Sequence, residues 1–343
     1  MRIAVVGAEG AIDGASLAAA DINAAGGING RPIELVAVPE LSGSSARDAI
    51  ATAERLADDR GILAVVGHSG SSRSLAASQV YNARRVPQVA PNTSTPLYTR
   101  AGAYSFRLVA GDAHQAEFIA GHLGTLEPRP RVALVYSNDD YGRALHGALR
   151  RTLKTRGVTL TYESPFVELE SFAGRVNDVV AAIAASAPDV LIWAGRPQEL
   201  ALARASLASA LPRLTVLGTD AVGRFHTSSN AAQRQGDMMV SYVDTESPDA
   251  AFKSVRTRFE ALHGAQFVDL AALSYDAVGV LAAALRAGAT SRESIVRHLA
   301  GDAMRADGYA GITGRITFDV NGDAPPRYTL FTLRNDSLIR VVP

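Results

Sequence analysis

Residues 63–97 read LAVVGHSGSSRSLAASQVYNARRVPQVAPNTSTPL, and their pattern decides the fold. Leu63 to Val66 is an apolar, valine-rich run too short for a helix, as a buried strand would be. It empties into Gly67-His68-Ser69-Gly70-Ser71-Ser72, where no apolar side chain occurs. A helix follows, with Leu75, Ala76, Val80 and Ala83 assigned to its buried face and Arg73, Gln79, Asn82 and Arg84 off it. The unit then repeats in miniature. Val86 to Ala90 reads as a strand, and Pro91-Asn92-Thr93-Ser94-Thr95-Pro96 opens a second hydroxyl-rich turn. Each turn offers hydroxyls and backbone N–H groups at a helix start, where the dipole favours an anion. A single serine in such a place reads equally well as an N-cap; two turns from neighbouring strands favour a joint site.

Working outward, strands and amphipathic helices alternate through about residue 242, the pattern of parallel sheets covered by helices on both faces. Ile3–Val6, Ile33–Val38, Tyr104–Val109, Val132–Tyr136, Val190–Trp193, Leu214–Leu217 and Met238–Val243 read as strands. Helices are expected at 12–25, 44–59, 112–125, 140–155 and 198–210, with another carrying Phe172, Val176, Val179, Val180, Ile183 and Ala187 on one face. Residues 248–300 read as helical, with Leu270, Leu273, Ala277, Leu281 and Leu285 as a core stripe. The end changes character: Arg315–Asp319, Arg327–Leu333 and Ser337–Val342 read as strands, with a turn at Asn321-Gly322.

Composition narrows the function. The 343 residues carry 34 acidic and 34 basic side chains, so the formal charge is zero. That argues against a nucleic-acid partner. No apolar run approaches the length of a membrane span. Cysteine is absent, which removes disulfides, thiolate metal sites and thiol nucleophiles. No histidine spacing suits a metal, and no cofactor is expected.

Several motifs compete with their ordinary explanations. Gly7 to Gly14 has the spacing G-x-x-G-x-x-x-G rather than G-x-G-x-x-G, with Glu40 placed as a ribose-binding acid would be. A nicotinamide-dependent oxidoreductase is the enzyme alternative this raises. Gly67-His68-Ser69-Gly70-Ser71 resembles a nucleophile elbow but lacks its last glycine. Asp319-Val320-Asn321-Gly322-Asp323 resembles a calcium loop, yet its glycine is misplaced and the bidentate glutamate is missing. A turn is the simpler reading. Asp139 and Asp140 are N-cap candidates for the helix they precede.

The blocks VVGHSGSSRSLAAS, VPQVAPNTSTPLYTRAGAYSFRL, DINAAGGINGRPIELV, VALVYSNDDYGRALHGAL and GRITFDVNGD together sample nearly the whole chain. In this order they resemble the bacterial periplasmic binding proteins of the leucine/isoleucine/valine-binding type. The resemblance implies two Rossmann-like α/β lobes joined by three crossings, placed near 110, 245 and 322. Lobe 1 would be 1–110 with 246–321 and lobe 2 would be 111–245 with 322–343, with the ligand in a cleft that closes by hinge motion. It also implies an amino-acid ligand, aliphatic or branched-chain, and a membrane ABC permease as partner. Ser71, Ser72 and Ser94, with their turn N–H groups, would hold the ligand carboxylate, and Asn92 is a further ligand-binding candidate. Tyr141 falls where the family places a ligand-contacting tyrosine, and Asp220 where it carries the acid that meets the amino group. Arg196 falls near a further pocket position in a segment one residue short. It would reach a side-chain carboxylate or lie in solvent. The Ser/Gly-rich insertion that relatives carry before the first helix is absent.

Because the family is exported and Met1-Arg2 leads straight into a strand, a periplasmic monomer whose leader lies outside this sequence is expected. A sensor domain for an amide, urea or aromatic acid is the other alternative on the same fold.

Overall fold

The computed structural model describes residues 1–41, 43–166, 172–222, 235–335 and 337–341. Val342, the expected end of the last strand, lies outside them. The chain divides into two compact units, one of residues 1–111 and 247–327, the other of 112–246 and 328–343.

Unit 1 is built on an all-parallel sheet of order β2-β1-β3-β4-β5, with β1 Arg2–Gly7, β2 Glu34–Pro39, β3 Ile62–Gly67, β4 Gln88–Ala90 and β5 Ser105–Arg107. The period of two along a strand sorts its side chains between two helical layers. Ala4 and Val6 of β1 join Val65, Leu56, Ala77 and Tyr81 in a core under α2 (Ala46–Asp58) and α3 (Ser71–Ala83). Ile3 and Val5, equally buried, point to the other face. There α1 (Glu9–Ala24) packs on α9 (Asp269–Arg286) so closely that a Cβ on Gly14 would run into the carbonyl oxygen of Ala271. That packing role accounts for one glycine of the Gly7–Gly14 motif.

The face assigned to α3 from the sequence needs correction. Ser74, Ala77, Ser78 and Tyr81 are its buried stripe, while Leu75, Ala76 and Val80 are only partly buried and Ala83 is exposed. Apolarity was the wrong guide because the hydroxyls have partners. Ser74 Oγ donates to the carbonyl of His68 (2.8 Å) and Ser78 Oγ to that of Leu75 (2.7 Å).

Unit 2 has a seven-stranded sheet of order β14-β13-β10-β9-β8-β6-β7. Its parallel part comprises β6 Arg131–Ser137, β7 Thr159–Phe166, β8 Val190–Ala194, β9 Thr215–Gly218 and β10 Met238–Ser241. β13 (Thr329–Arg334) and β14 (Ser337–Arg340) add an antiparallel hairpin. Val132 and Leu134 face α4 (Asp112–Thr125) and α5 (Asp140–Thr155). Ala133 and Val135 face α6 (Val176–Ser186) and α7 (Pro197–Ala210). Asp139 caps α5 by accepting the Gly142 N–H at 2.9 Å, the ordinary role weighed for it above.

Residues after the parallel part of unit 2 return to unit 1 as α8 (Ala250–His263), α9, α10 (Arg292–Leu299) and α11 (Asp302–Ala306), then the hairpin β11 (Tyr309–Gly311) and β12 (Gly314–Ile316). The chain leaves unit 1 after Arg327, six residues past the boundary expected at 321. Asp323 accepts from Arg107 Nε at 2.6 Å, Ala324 N–H bonds the Arg107 carbonyl, and Arg327 donates to the carbonyl of Thr313. These bonds hold 323–327 to unit 1. The Asp319–Asp323 segment closes on itself as a turn, because Asp319 Oδ1 accepts the N–H of Asn321 and of Asp323. Among the described residues no helix is long and apolar enough to cross a membrane.

Asp276, buried in α9, holds the β11–β12 turn by accepting from Ile312 N–H, Thr313 N–H and Thr313 Oγ1. Burial outweighs those bonds and pushes its carboxyl up to about 6. A folded-state value above the unfolded one means stability is greatest below the unfolded value and is lost as pH rises through about 6. Relative to Asp276→Asn, the parent should therefore lose about 2–3 kcal/mol between about pH 4 and neutral pH, read from urea denaturation at each pH. A constant difference would show that this carboxylate does not titrate there.

Candidate ligand-binding residues of each unit

In doubly wound sheets ligands lie beyond the carboxyl ends of the strands, near where the winding reverses. The reversal falls between β1 and β3 in unit 1 and between β6 and β8 in unit 2. Ser71, Ser72, Asn92 and Ser94 follow β3 and β4; Tyr141, Arg196 and Asp220 follow β6, β8 and β9.

In unit 1 the two hydroxyl turns are stitched into one. Gly70 N–H donates to Asn92 Oδ1 (3.3 Å), Thr95 N–H to Ser71 Oγ (3.4 Å), and Thr93 Oγ1 to Ser74 Oγ (2.6 Å). Gly70 takes φ +88°, which suits a residue without Cβ and starts α3 at Ser71. The first N–H groups of α3 have no acceptor within the helix. Ser94 Oγ is fully buried and has no hydrogen-bond partner among the described residues, an anomaly that a bound acceptor would remove.

Two supports of this half were invisible from spacing. Arg107, 2 % exposed, donates to the carbonyls of Thr95 (2.9 Å) and Thr93 (3.5 Å) and pairs with Asp323, so it grips the second turn from below. The one signal was a charge inside the apolar strand Ser-Phe-Arg-Leu-Val. The second support is Glu40, which accepts from His68 Nδ1 (2.7 Å) and Ser69 N–H (2.8 Å), while His68 Nε2 lies 3.2 Å from the Tyr81 hydroxyl. Burial would raise the Glu40 carboxyl, but His68, Arg73 and the Ser69 N–H together hold it below the usual range. The residues behind both enzyme readings have other partners here. Glu40 is committed to the β3–α3 turn instead of standing ready for a ribose, and Ser69 Oγ accepts the Ala8 N–H (3.0 Å) while both His68 ring nitrogens have other partners.

In unit 2 the structure brings Tyr141 and Asp220 together. The Tyr141 hydroxyl lies 2.7 Å from both Asp220 Oδ1 and Thr219 Oγ1. Gln115, on α4, donates to the same Asp220 oxygen at 2.7 Å and contacts the Tyr242 hydroxyl at 3.3 Å. Burial, then the negative charge of Asp220, pushes both phenols well above their ordinary range. Asp112 acts on both in the same sense, so these carboxylates bias the pocket towards a cation. Arg196 is not part of this group. It is 58 % exposed at the N-cap of α7, with its nearest acid, Asp139, at 3.5 Å.

Comparison with known proteins follows this geometry. The family model described as periplasmic binding protein matches residues 4–337. An amino acid binding protein of Pseudomonas aeruginosa is 35 % identical over 188 residues, 54 % of this chain and 49 % of that protein, about half of its length. The Leu/Ile/Val-binding protein homolog 1 of Brucella abortus is 26 % identical over 326 residues, 93 % of this chain and 84 % of that one. An ABC transporter substrate-binding protein from Desulfitobacterium hafniense, solved in complex with Leu, superposes with a TM-score of 0.81 at 22 % identity, covering 99 % of both chains.

Arg107 and Ser94 should respond oppositely to truncation. Arg107→Ala strips donors from two turn carbonyls and leaves Asp323 without its buried cation, a loss of about 3–5 kcal/mol. Ser94→Ala removes a hydroxyl with no partner and should leave ligand-free stability within about 0.5 kcal/mol. Urea denaturation of both variants decides, and a destabilised Ser94→Ala would mean that the hydroxyl serves the fold.

Proposed function

The chain belongs to the periplasmic binding protein family, and from that premise we propose that it captures a free aliphatic or branched-chain amino acid and hands it to a membrane ABC permease. It acts outside the inner membrane and carries out no chemistry on its ligand. The observation that carries the reading is the cluster of neutral donors around Asp220 in unit 2. Asp220, held by Tyr141 and Gln115 and reinforced by Asp112, suits an ammonium and opposes a second anion.

Unit 1 supplies the opposite chemistry. Ser71, Asn92 and Ser94, with the first N–H groups of α3, suit a carboxylate, and the unsatisfied Ser94 hydroxyl supplies a donor already in place. Ser72 adds a neighbouring hydroxyl at the same helix start. One ligand carrying both charges satisfies both halves, which an aromatic acid, an amide or urea does not. Arg196 would then lie near the side-chain end of the ligand, exposed enough to tolerate an apolar group without leaving a buried charge.

Calorimetry with L-leucine and its des-amino counterpart, 4-methylpentanoate, tests this. The parent should prefer leucine, and Asp220→Ala should lose about 3–5 kcal/mol for leucine because an ammonium would be left unpaired. The same change should be neutral or favourable for 4-methylpentanoate. Ser71→Ala and Ser94→Ala should each weaken both ligands by about 1.5–3 kcal/mol, since both carry the carboxylate. A parent that prefers the des-amino acid would sink the amino-acid reading.

A further inference from the structure

The carboxylate of Asp220 does not stand alone, and the residue that orients it comes from another layer of the unit. Gln115 lies in α4 and is fully buried. Its carboxamide makes a reciprocal pair with Asp220: Nε2 donates to Oδ1 at 2.7 Å, and Oε1 accepts the Asp220 backbone N–H at 3.4 Å. The same Nε2 lies 3.3 Å from the Tyr242 hydroxyl, which is itself buried on the Tyr328 ring. The glutamine thus engages the main chain and the side chain of one residue at once, 105 positions away in sequence.

Few side chains can do this without spoiling the electrostatics. A lysine or arginine donates but cannot accept a backbone N–H, and its charge would cancel the acid that a ligand cation needs. A carboxylate accepts but cannot donate unless protonated, and it would repel Asp220. An amide supplies one donor and one acceptor with no net charge. Tyr141 follows the same rule, giving Asp220 a neutral donor from the other side. Neither the Gln115 amide nor the Tyr141 hydroxyl brings a charge that would offset the negative field of Asp220 and Asp112.

Resting on the amino-acid reading above, we propose that Gln115 is a positioning residue: it holds Asp220 in the orientation that receives the ligand ammonium, and so sets the preference for amino over des-amino ligands. It touches the ligand's recognition only through Asp220. Its removal should therefore act on the ammonium end and leave the carboxylate end of the same ligand untouched.

The test compares the full chain with Gln115→Met, which keeps the volume and loses the donor and acceptor, and with Gln115→Glu. Calorimetry uses L-leucine and 4-methylpentanoate. Gln115→Met should bind leucine about tenfold more weakly and 4-methylpentanoate within about twofold of the parent. In Gln115→Glu, two adjacent carboxylates share a proton that an incoming ammonium expels. Leucine affinity should then climb with pH across the neutral range, where the parent is flat. That slope is a readout a purely structural role would not produce, and it carries the test if Gln115→Met fails to fold. Equal weakening of both ligands by Gln115→Met, or a flat profile in a folded Gln115→Glu, overturns the proposal. A parent that prefers leucine while Gln115→Met keeps that preference overturns Gln115 alone. A parent that prefers 4-methylpentanoate, or binds no leucine, overturns the amino-acid reading and this proposal with it.

Discussion

A guanidinium cannot be buried without acceptors, and Arg107 obtains its acceptors from the chain segments that most need fixing. Two are carbonyls of the turn after β4, and the third is Asp323, 216 residues away in sequence. Its own backbone joins in, the N–H bonding the Gly322 carbonyl and the carbonyl accepting the Ala324 N–H. The hydroxyl turn is therefore held by a charged clamp, and the buried Ser94 hydroxyl is left without a partner among the described residues. Gly322 takes part through its φ of +89° and through the lack of a side chain where the Ser105 carbonyl approaches.

The candidate residues of each unit reach order by different physics. In unit 1 order comes from covering polar groups: Glu40, His68, Tyr81, Ser74 and Thr93 satisfy one another in a buried run that fixes both turns. In unit 2 order comes from neutral donors gathered round an acid, which fix its position without discharging it. The first half resembles a mould and the second a poised charge.

Much of the fold was legible because it rests on local periodicity. The alternation that sends Val132 and Leu134 to one helical layer and Ala133 and Val135 to the other is written in consecutive residues. The hydroxyl turns were legible for a similar reason, since strand ends and helix starts carry short-range signals. The buried stripe of α3 does not follow apolarity, because Ser74 and Ser78 are buried with their hydroxyls bonded to nearby carbonyls. Arg107 with Asp323, and Gln115 with Asp220, could not be read at all. Their meaning lies in pairings across 216 and 105 residues, and no local pattern encodes them.

Helix α9 also governs how the protein comes into being. Fifteen of its 18 residues are buried, so it is a core element apolar nearly all round. Its partner α1 begins at Glu9, some 250 residues earlier, and the two pack at the close approach of Gly14 and Ala271. Until α9 has been synthesised, the side of α1 that it covers, including Gly14, has no partner. Unit 1 is thus a structure of high contact order whose first half waits, sticky and incomplete, for its last third. The core of unit 1 is therefore completed only when α9 has emerged.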